Sequence, residues 1–289
     1  MKRIKLAAYL QERFPPVNAM LFAILFGAVY SVSTKGATPG WTELWGIAAV
    51  VSFFFRLRVM DEIKDYQIDL INHPNRILQS GGVTLPVLIG ISFFGSAIEA
   101  GWSLYSGMNC TTAWFVALAY SFLMRYEFFI GAWLRPRLLI YSISHMLVMP
   151  AIIAWIWFGY RNDFSPELGL LMILSITAGF CFELARKTHA PEGERRGIDS
   201  YSKSLGLRRS VLAICLLLAV GLGFLFYLFY YLKLHTYAYA LLGLIFFVVV
   251  FFYSKGLKSK KDTHFRKGEK AVSLYMLLSY LVLIIEMLR

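Results

Sequence analysis

Charge is scarce in this 289-residue chain: 16% of its residues are Asp, Glu, Lys or Arg, against 58% that are hydrophobic. A soluble domain carries about 25% charged and about 45–50% apolar residues, so there is too little charge here to cover a surface facing water. That excludes a cytosolic enzyme and a disordered chain. Cysteine is scarce too. Cys110, Cys181 and Cys215 stand singly in or beside apolar stretches, which excludes a disulfide framework and the spacings of a zinc site and leaves three small hydrophobes. Acidic residues are the third shortage, 17 against 29 basic ones, for a formal net charge of +12. The basic stretches lack the interleaved aromatics that stack on bases, so the surplus does not point to nucleic acid.

What the chain has in quantity is apolar runs. A transmembrane helix needs about 20 mostly apolar residues. Nine such segments occur, near 17–33, 42–60, 83–103, 109–125, 137–159, 167–184, 210–232, 236–253 and 270–288. They do not alternate apolar with polar as barrel strands do, and Leu241 to Tyr253 is unbroken. The predicted fold is therefore an all-α integral membrane protein, one domain over 1–289 with nine transmembrane helices, in the cell membrane. Lys2, Arg3 and Lys5 are followed by Glu12, Arg13 and Pro15-Pro16 before the first run, with no small-x-small cleavage site after it, so that run is expected to remain as a span. Assigning the basic residues to alternating sides places 25 of 29 with the N-terminus and only Lys35, Arg161, Lys233 and Arg289 opposite. By the positive-inside rule the N-terminus is cytoplasmic. The basic loops, Lys255 to Lys270 above all, are expected to lie against the anionic head groups of membrane lipids.

The few acids gather where helices meet the cytoplasm. Asp61, Asp65 and Asp69 stand at i, i+4 and i+8 after the second run. On a continuing helix they line one face, about 6 Å apart per step. Glu62, Asp65 and Asp69 also share a face, so spacing alone leaves open whether Asp61 or Glu62 points inward. Stacked like charges call for a cation, and hard oxygen ligands favour Mg²⁺ or Ca²⁺. A second cluster follows the sixth run: Glu183, Glu192 and Glu194, interleaved with Arg186, Lys187, His189 and Lys203. Glu183 and Lys187 have the spacing of an i,i+4 helix pair, and Pro191 and Gly193 end the helix. Two acid-rich mouths on one membrane face, flanked by Arg and Lys, suit a diphosphate held through divalent cations.

At these residues the chain resembles the UbiA superfamily of intramembrane prenyltransferases. Its members have nine transmembrane helices and aspartate-rich motifs on the cytoplasmic loops after helices 2 and 6. The first motif appears here as Asp61-x-x-x-Asp65-x-x-x-Asp69, followed by Asn72-His73-Pro74-Asn75-Arg76 and Ser80-Gly81. The second departs from the family pattern. Glu183 and Lys187 stand in the places of its two aspartates, Glu192 and Glu194 follow, and then comes the stretch Gly197 to Gly206 with Asp199, Tyr201 and Lys203. The resemblance thus implies a divergent branch.

The activity it implies is Mg²⁺-dependent ionisation of an isoprenoid diphosphate of ten to twenty carbons, at the cytoplasmic face. Transfer of the prenyl group to an aromatic or lipophilic acceptor follows; a terpene cyclase working without an acceptor is the alternative. Asp61, Asp65, Asp69, Glu183, Glu192 and Glu194 become the candidate metal ligands. Arg58, Lys64, Arg76, Arg125, Lys187, Tyr201 and Lys203 become candidate diphosphate contacts, with Asp65, Asp69 and Lys187 as the catalytic set. Lys187 would meet a diphosphate oxygen as a point charge. The 24 Phe, 17 Tyr and 7 Trp offer tunnel walls and carbocation-facing rings, although most are expected to face lipid. Glu99 and His145 lie in apolar runs, where a polar group needs a partner. Each either makes an interhelical hydrogen bond, positions an acceptor or takes a proton.

Two other classes fit less well. The chain lacks the Asp-x-x-Asp-Gly-x-x-Ala-Arg stretch of a CDP-alcohol phosphotransferase. A transporter would carry polar sites at the midplane, whereas the acids here collect at one face.

Overall fold

The computed structural model describes residues 5–194 and 199–289. Lys2 and Arg3 of the N-terminal arm, and Arg195, Arg196 and Gly197 of the second acidic loop, lie outside the described residues. The described chain contains helices and their connections and no strand. A short α1 (Leu6–Arg13) precedes α2 (Pro16–Ser33), α3 (Trp41–Asn72), α4 (Leu85–Ser106) and α5 (Met108–Arg125). Then come α6 (Gly131–Leu134), α7 (Leu138–Met146), α8 (Val148–Phe158) and α9 (Pro166–Arg186). After α10 (Tyr201–Ser204) the chain ends in three long helices, α11 (Leu207–Leu232), α12 (Thr236–Ser259) and α13 (Asp262–Met287).

Local sequence explains most of these boundaries. Pro16, Pro86 and Pro166 sit in the first turns of α2, α4 and α9, where a missing N–H costs nothing. The expected run 137–159 is two helices rather than one. Pro150 has no N–H and crowds the Met146 carbonyl four residues back, and the helix breaks at Leu147 between α7 and α8.

Among the described residues seven helical stretches are long and apolar enough to cross a membrane: α2, α4, α7 with α8, α9, α11, α12 and α13. The other two expected spans are helices as well but fall short of that measure. The apolar part of α3 carries Glu43, Arg56 and Arg58, and α5 carries Asn109, two threonines and Arg125. Arg56, assigned to the cytoplasmic surface by charge alone, is buried inside the bundle against Glu99.

Neighbours in sequence pack in sequence: α2 on α3, α3 on α4, α4 on α5, α5 on α8, α8 on α9 and α9 on α11. The last helix, α13, packs on both α9 and α2, which closes the bundle. Its core includes Phe26, Phe53, Trp102, Trp155 and Trp157. Large apolar side chains also face outward, among them Phe93, Phe94, Leu104, Phe247 and Phe251, as a lipid-facing surface requires. A smaller core under α1 contains Tyr9, Phe55, Val59, Leu78, Val83 and Leu88. There Lys5 N–H donates to Gly82 O (2.8 Å) and Ile77 N–H to Glu12 Oε2 (2.9 Å), fastening α1 beneath the loop from α3 to α4.

Candidate active site

The first acidic stretch rides on the last three turns of α3, which continues unbroken to Asn72. The ambiguity between Asp61 and Glu62 resolves cleanly. The Glu62 side chain is only 1% exposed and faces α1, where Arg13 Nε (2.6 Å) and Arg58 Nη2 (2.6 Å) both donate to Oε1. Asp61 is 53% exposed and lies 3.7 Å from Lys64 Nζ. Arg58, expected at the diphosphate, is therefore committed to the α1 side of the helix. Asp69 accepts from Arg76 Nη1 at 2.5 Å, so the turn after α3 folds its arginine back onto the last aspartate. Asp65 makes no hydrogen bond or ion pair among the described residues. Enclosure by protein raises the Asp65 carboxyl above the usual carboxylate range; Lys64 pulls against it, and Asp61 and Asp69 push the same way as burial. A cation bound here would relieve that shift.

The second stretch is built differently. Glu183, near the end of α9, is held by Lys187 Nζ (2.8 Å) and Arg186 Nη2 (2.6 Å), so the i,i+4 pair read from the sequence is present. Glu192 accepts the N–H of Asp262 at 2.7 Å, satisfying an orphan donor at the start of α13. Glu194 accepts from Ser200 (2.8 Å) and Ser202 (2.5 Å) and lies 3.5 Å from Lys203 Nζ. Burial pushes the Glu194 carboxyl up, but the Ser202 and Ser200 hydroxyls and then Lys203 outweigh it and hold it below the usual range. Tyr201 is fully buried, and its hydroxyl donates to Ser142 Oγ at 2.6 Å. Arg125 ends α5 with its guanidinium over the neighbouring Tyr126 ring, 5.3 Å from the centroid. The expected ligands Glu192 and Glu194 and the expected phosphate contact Tyr201 are thus each hydrogen-bonded within the fold, to Asp262, to Ser200 and Ser202, and to Ser142.

What joins the two stretches is α7, which spacing within either stretch could not reveal. Lys64 Nζ of the first donates to Tyr141 Oη at 2.9 Å, and Tyr201 of the second binds the very next residue, Ser142. His145, one turn on, stacks on Tyr141. The connection after α5 closes in from another side: Phe128 meets His145 edge-on, and Glu127 is buried and paired with Arg135 at 2.7 Å. The only sequence signals for this third wall were the polar Ser, His and Tyr of an apolar run.

Among the described residues no three His, Cys, Asp or Glu side chains converge on one point. Mg²⁺ commonly takes one or two protein carboxylates and completes its shell with water and substrate phosphate. The unpaired Asp65, with Asp61 one turn before it, supplies hard oxygens of that kind. Glu99 belongs to a different place. It is fully buried and bound by Arg56, Trp114 and Ser52, the interhelical role expected of a polar group at that depth. A recess of about 510 Å³ between α5 and α8, beside Asn109 and Asn162, is bordered by neither acidic stretch.

The sequence pattern of the UbiA prenyltransferase family matches residues 20–281. The chain belongs to that family. No curated protein matches it in sequence. Three solved structures share the UbiA fold with it. A digeranylgeranylglyceryl phosphate synthase superposes with a TM-score of 0.72 at 18% identity, over 98% of this chain and 99% of its own. A UbiA homologue from Aeropyrum pernix K1 gives 0.66 at 16% identity, over 88% and 94%. A UbiA homologue from Archaeoglobus fulgidus, bound to GPP and Mg²⁺, gives 0.59 at 11% identity, over 96% and 99%. At these identities the structures speak for the fold, which in this UbiA protein is an all-helical membrane bundle.

Proposed function

We propose that this UbiA protein is a Mg²⁺-dependent intramembrane prenyltransferase, taking an isoprenoid diphosphate of ten to twenty carbons and passing the prenyl group to an aromatic or lipophilic acceptor. The observation that carries the reading is the meeting of the two charged stretches on adjacent residues of α7, with the unpaired Asp65 next to Lys64. The A. fulgidus homologue bound to GPP and Mg²⁺ supports the donor class. We place the site at the cytoplasmic face, with nine crossings of one domain and a cytoplasmic N-terminus, as the basic loops require.

In this reading Asp65 and Asp61 hold the metal. Magnesium bound there would neutralise diphosphate charge and ease departure of the leaving group. Lys64, Arg76 and Lys187 meet phosphate oxygens, each already paired to a carboxylate that steadies it. Glu183 and Asp69 set the positions of those cations, and Lys203 stands further back, beside Glu194. The prenyl chain is sheltered from water among the apolar helices, and the Tyr141 and Phe128 rings present faces to the allylic cation.

The test is Asp65→Asn. The Asp65 side chain makes no bond among the described residues, so the variant should melt with the wild type while diphosphate release from geranylgeranyl diphosphate falls by about 10²–10⁴-fold. Near-wild-type turnover in the purified variant would remove Asp65 from the metal site.

A further inference from the structure

One polar group at the meeting point has no task in that reading. His145 sits on α7 just before the break that Pro150 imposes. Its ring stacks on Tyr141, with centroids 4.0 Å apart and planes at 17°, and meets Phe128 edge-on at 6.0 Å and 85°. Phe128 lies edge-on to Tyr120 in turn, at 5.5 Å. His145 Nδ1 is 2.8 Å from the Tyr141 carbonyl oxygen. A carbonyl only accepts, so Nδ1 carries the proton and the neutral ring presents a lone pair at Nε2. That Nε2 is buried and has no hydrogen-bond partner among the described residues. Leaving a buried acceptor unpaired costs about 1–3 kcal/mol.

The wall facing His145 is also held against its local preference. Glu127, Phe128 and Phe129 have φ of 51°, 55° and 59°, three consecutive non-glycine residues in the left-handed region. Each costs about 1–2 kcal/mol. The buried Glu127 carboxylate, paired to Arg135, pins this turn, and Gly131 leaves the room: a Cβ there would collide with that carboxylate. Strain of this kind persists only where the surroundings over-determine it, and it clusters at functional sites. The charged and titratable groups that reach His145 are Lys64 from α3, Glu127 from the strained turn, Glu183 from α9, and Tyr141 of its own helix. Tyr120 of α5 donates to the Ser144 carbonyl beside it.

We propose that His145 Nε2 is the proton acceptor of the reaction, an inference that rests on the prenyl-transfer reading. Prenyl transfer sheds one proton. The allylic C–O bond breaks and its electron pair leaves with the diphosphate. A bond then forms between the allylic carbon and the acceptor, and the acceptor C–H or O–H at the new bond gives up its proton to Nε2. The resulting imidazolium is stacked on Tyr141 and opposed by Glu127 and Glu183. With no acceptor present, the same nitrogen takes a proton from the allylic cation itself. That leaves a conjugated hydrocarbon, where capture by water would leave an alcohol.

The experiment separates ionisation from proton removal. Wild type, His145→Gln, His145→Ala and Asp65→Asn are incubated with farnesyl diphosphate and Mg²⁺, with and without 4-hydroxybenzoate, and diphosphate release and organic products are measured separately. His145→Gln should release diphosphate as the wild type does. Its hydrocarbon and farnesylated phenol should fall by about 10²–10⁴-fold, the usual worth of a general base, with farnesol in their place. Imidazole added to His145→Ala should restore the lost products, whereas Asp65→Asn should stop diphosphate release itself. Wild-type product yields from His145→Gln overturn the proposal. So does a parallel fall in release and products without imidazole rescue, since that marks a structural role. A wild type that releases no diphosphate overturns the prenyl-transfer reading and this inference with it.

Discussion

The buried ion pair between α3 and α4 makes the sharpest prediction about stability. The Glu99 side chain is 0% exposed and accepts from Arg56 Nη2 (2.9 Å) and Nε (3.4 Å), Trp114 Nε1 (3.0 Å) and Ser52 Oγ (3.3 Å). In Glu99→Ala the Arg56 guanidinium keeps, among the described residues, only Ser121 Oγ at 2.9 Å and the Phe53 face at 4.3 Å. Removing one partner of a buried pair costs about 3–5 kcal/mol, and the orphaned Trp114 N–H adds about 1 kcal/mol. At about 2–4 °C per kcal/mol for chains of this order of size, the melting temperature in detergent should fall by about 10 °C or more.

The double variant Arg56→Met with Glu99→Leu removes both charges and should recover most of the loss, because no unpaired charge is left in the bundle. Prenyl-transfer rates of the folded fraction should hold in both variants, since the pair touches neither acidic stretch. A Glu99→Ala protein that melts with the wild type would refute this reasoning. So would a double variant as unstable as the single one.

Two further outcomes are expected. Tyr201→Phe loses the 2.6 Å bond to Ser142 that ties the second stretch to α7; it should cost about 1 kcal/mol of stability and raise KM for the diphosphate more than it lowers kcat, read by steady-state kinetics. Glu194 has its carboxyl held below an ordinary value of 4.5, so its bonds stabilise the fold above that pH and the benefit fades as pH falls through the depressed value. Glu194→Gln should therefore melt below the wild type at pH 7 and approach it under acid conditions; an equal gap at both pH values would count against the loop geometry.

Hydropathy and spacing were enough to place every long helix, since burying a backbone in lipid demands about 20 apolar residues wherever it occurs, but they stopped α3 at 60 where it runs on to Asn72 and began α13 at 270 where it starts at Asp262. They missed the break at Leu147, although Pro150 announces it, because the apolar run continues across the proline. The i, i+4, i+8 aspartates were legible as a charged stripe, and the Glu183–Lys187 pair as a helix pair, because both are local and follow from 3.6 residues per turn.

Partners across the bundle were not legible. Periodicity sets the angle of a side chain around its own helix and says nothing of which helix lies opposite. Only the packed bundle decided that Glu62 turns to α1 and takes Arg58 with it, and that Glu194 is absorbed by Ser200 and Ser202. Only the packed bundle set Lys64 and Tyr201 on adjacent residues of α7, with His145 one turn behind. Local sequence determined which stretches carry charge and where they leave the apolar bundle. Which of those charges face one another depended on long-range packing, since a charged group in a low-dielectric bundle settles where it finds a partner, and that partner stands tens of residues away in the chain.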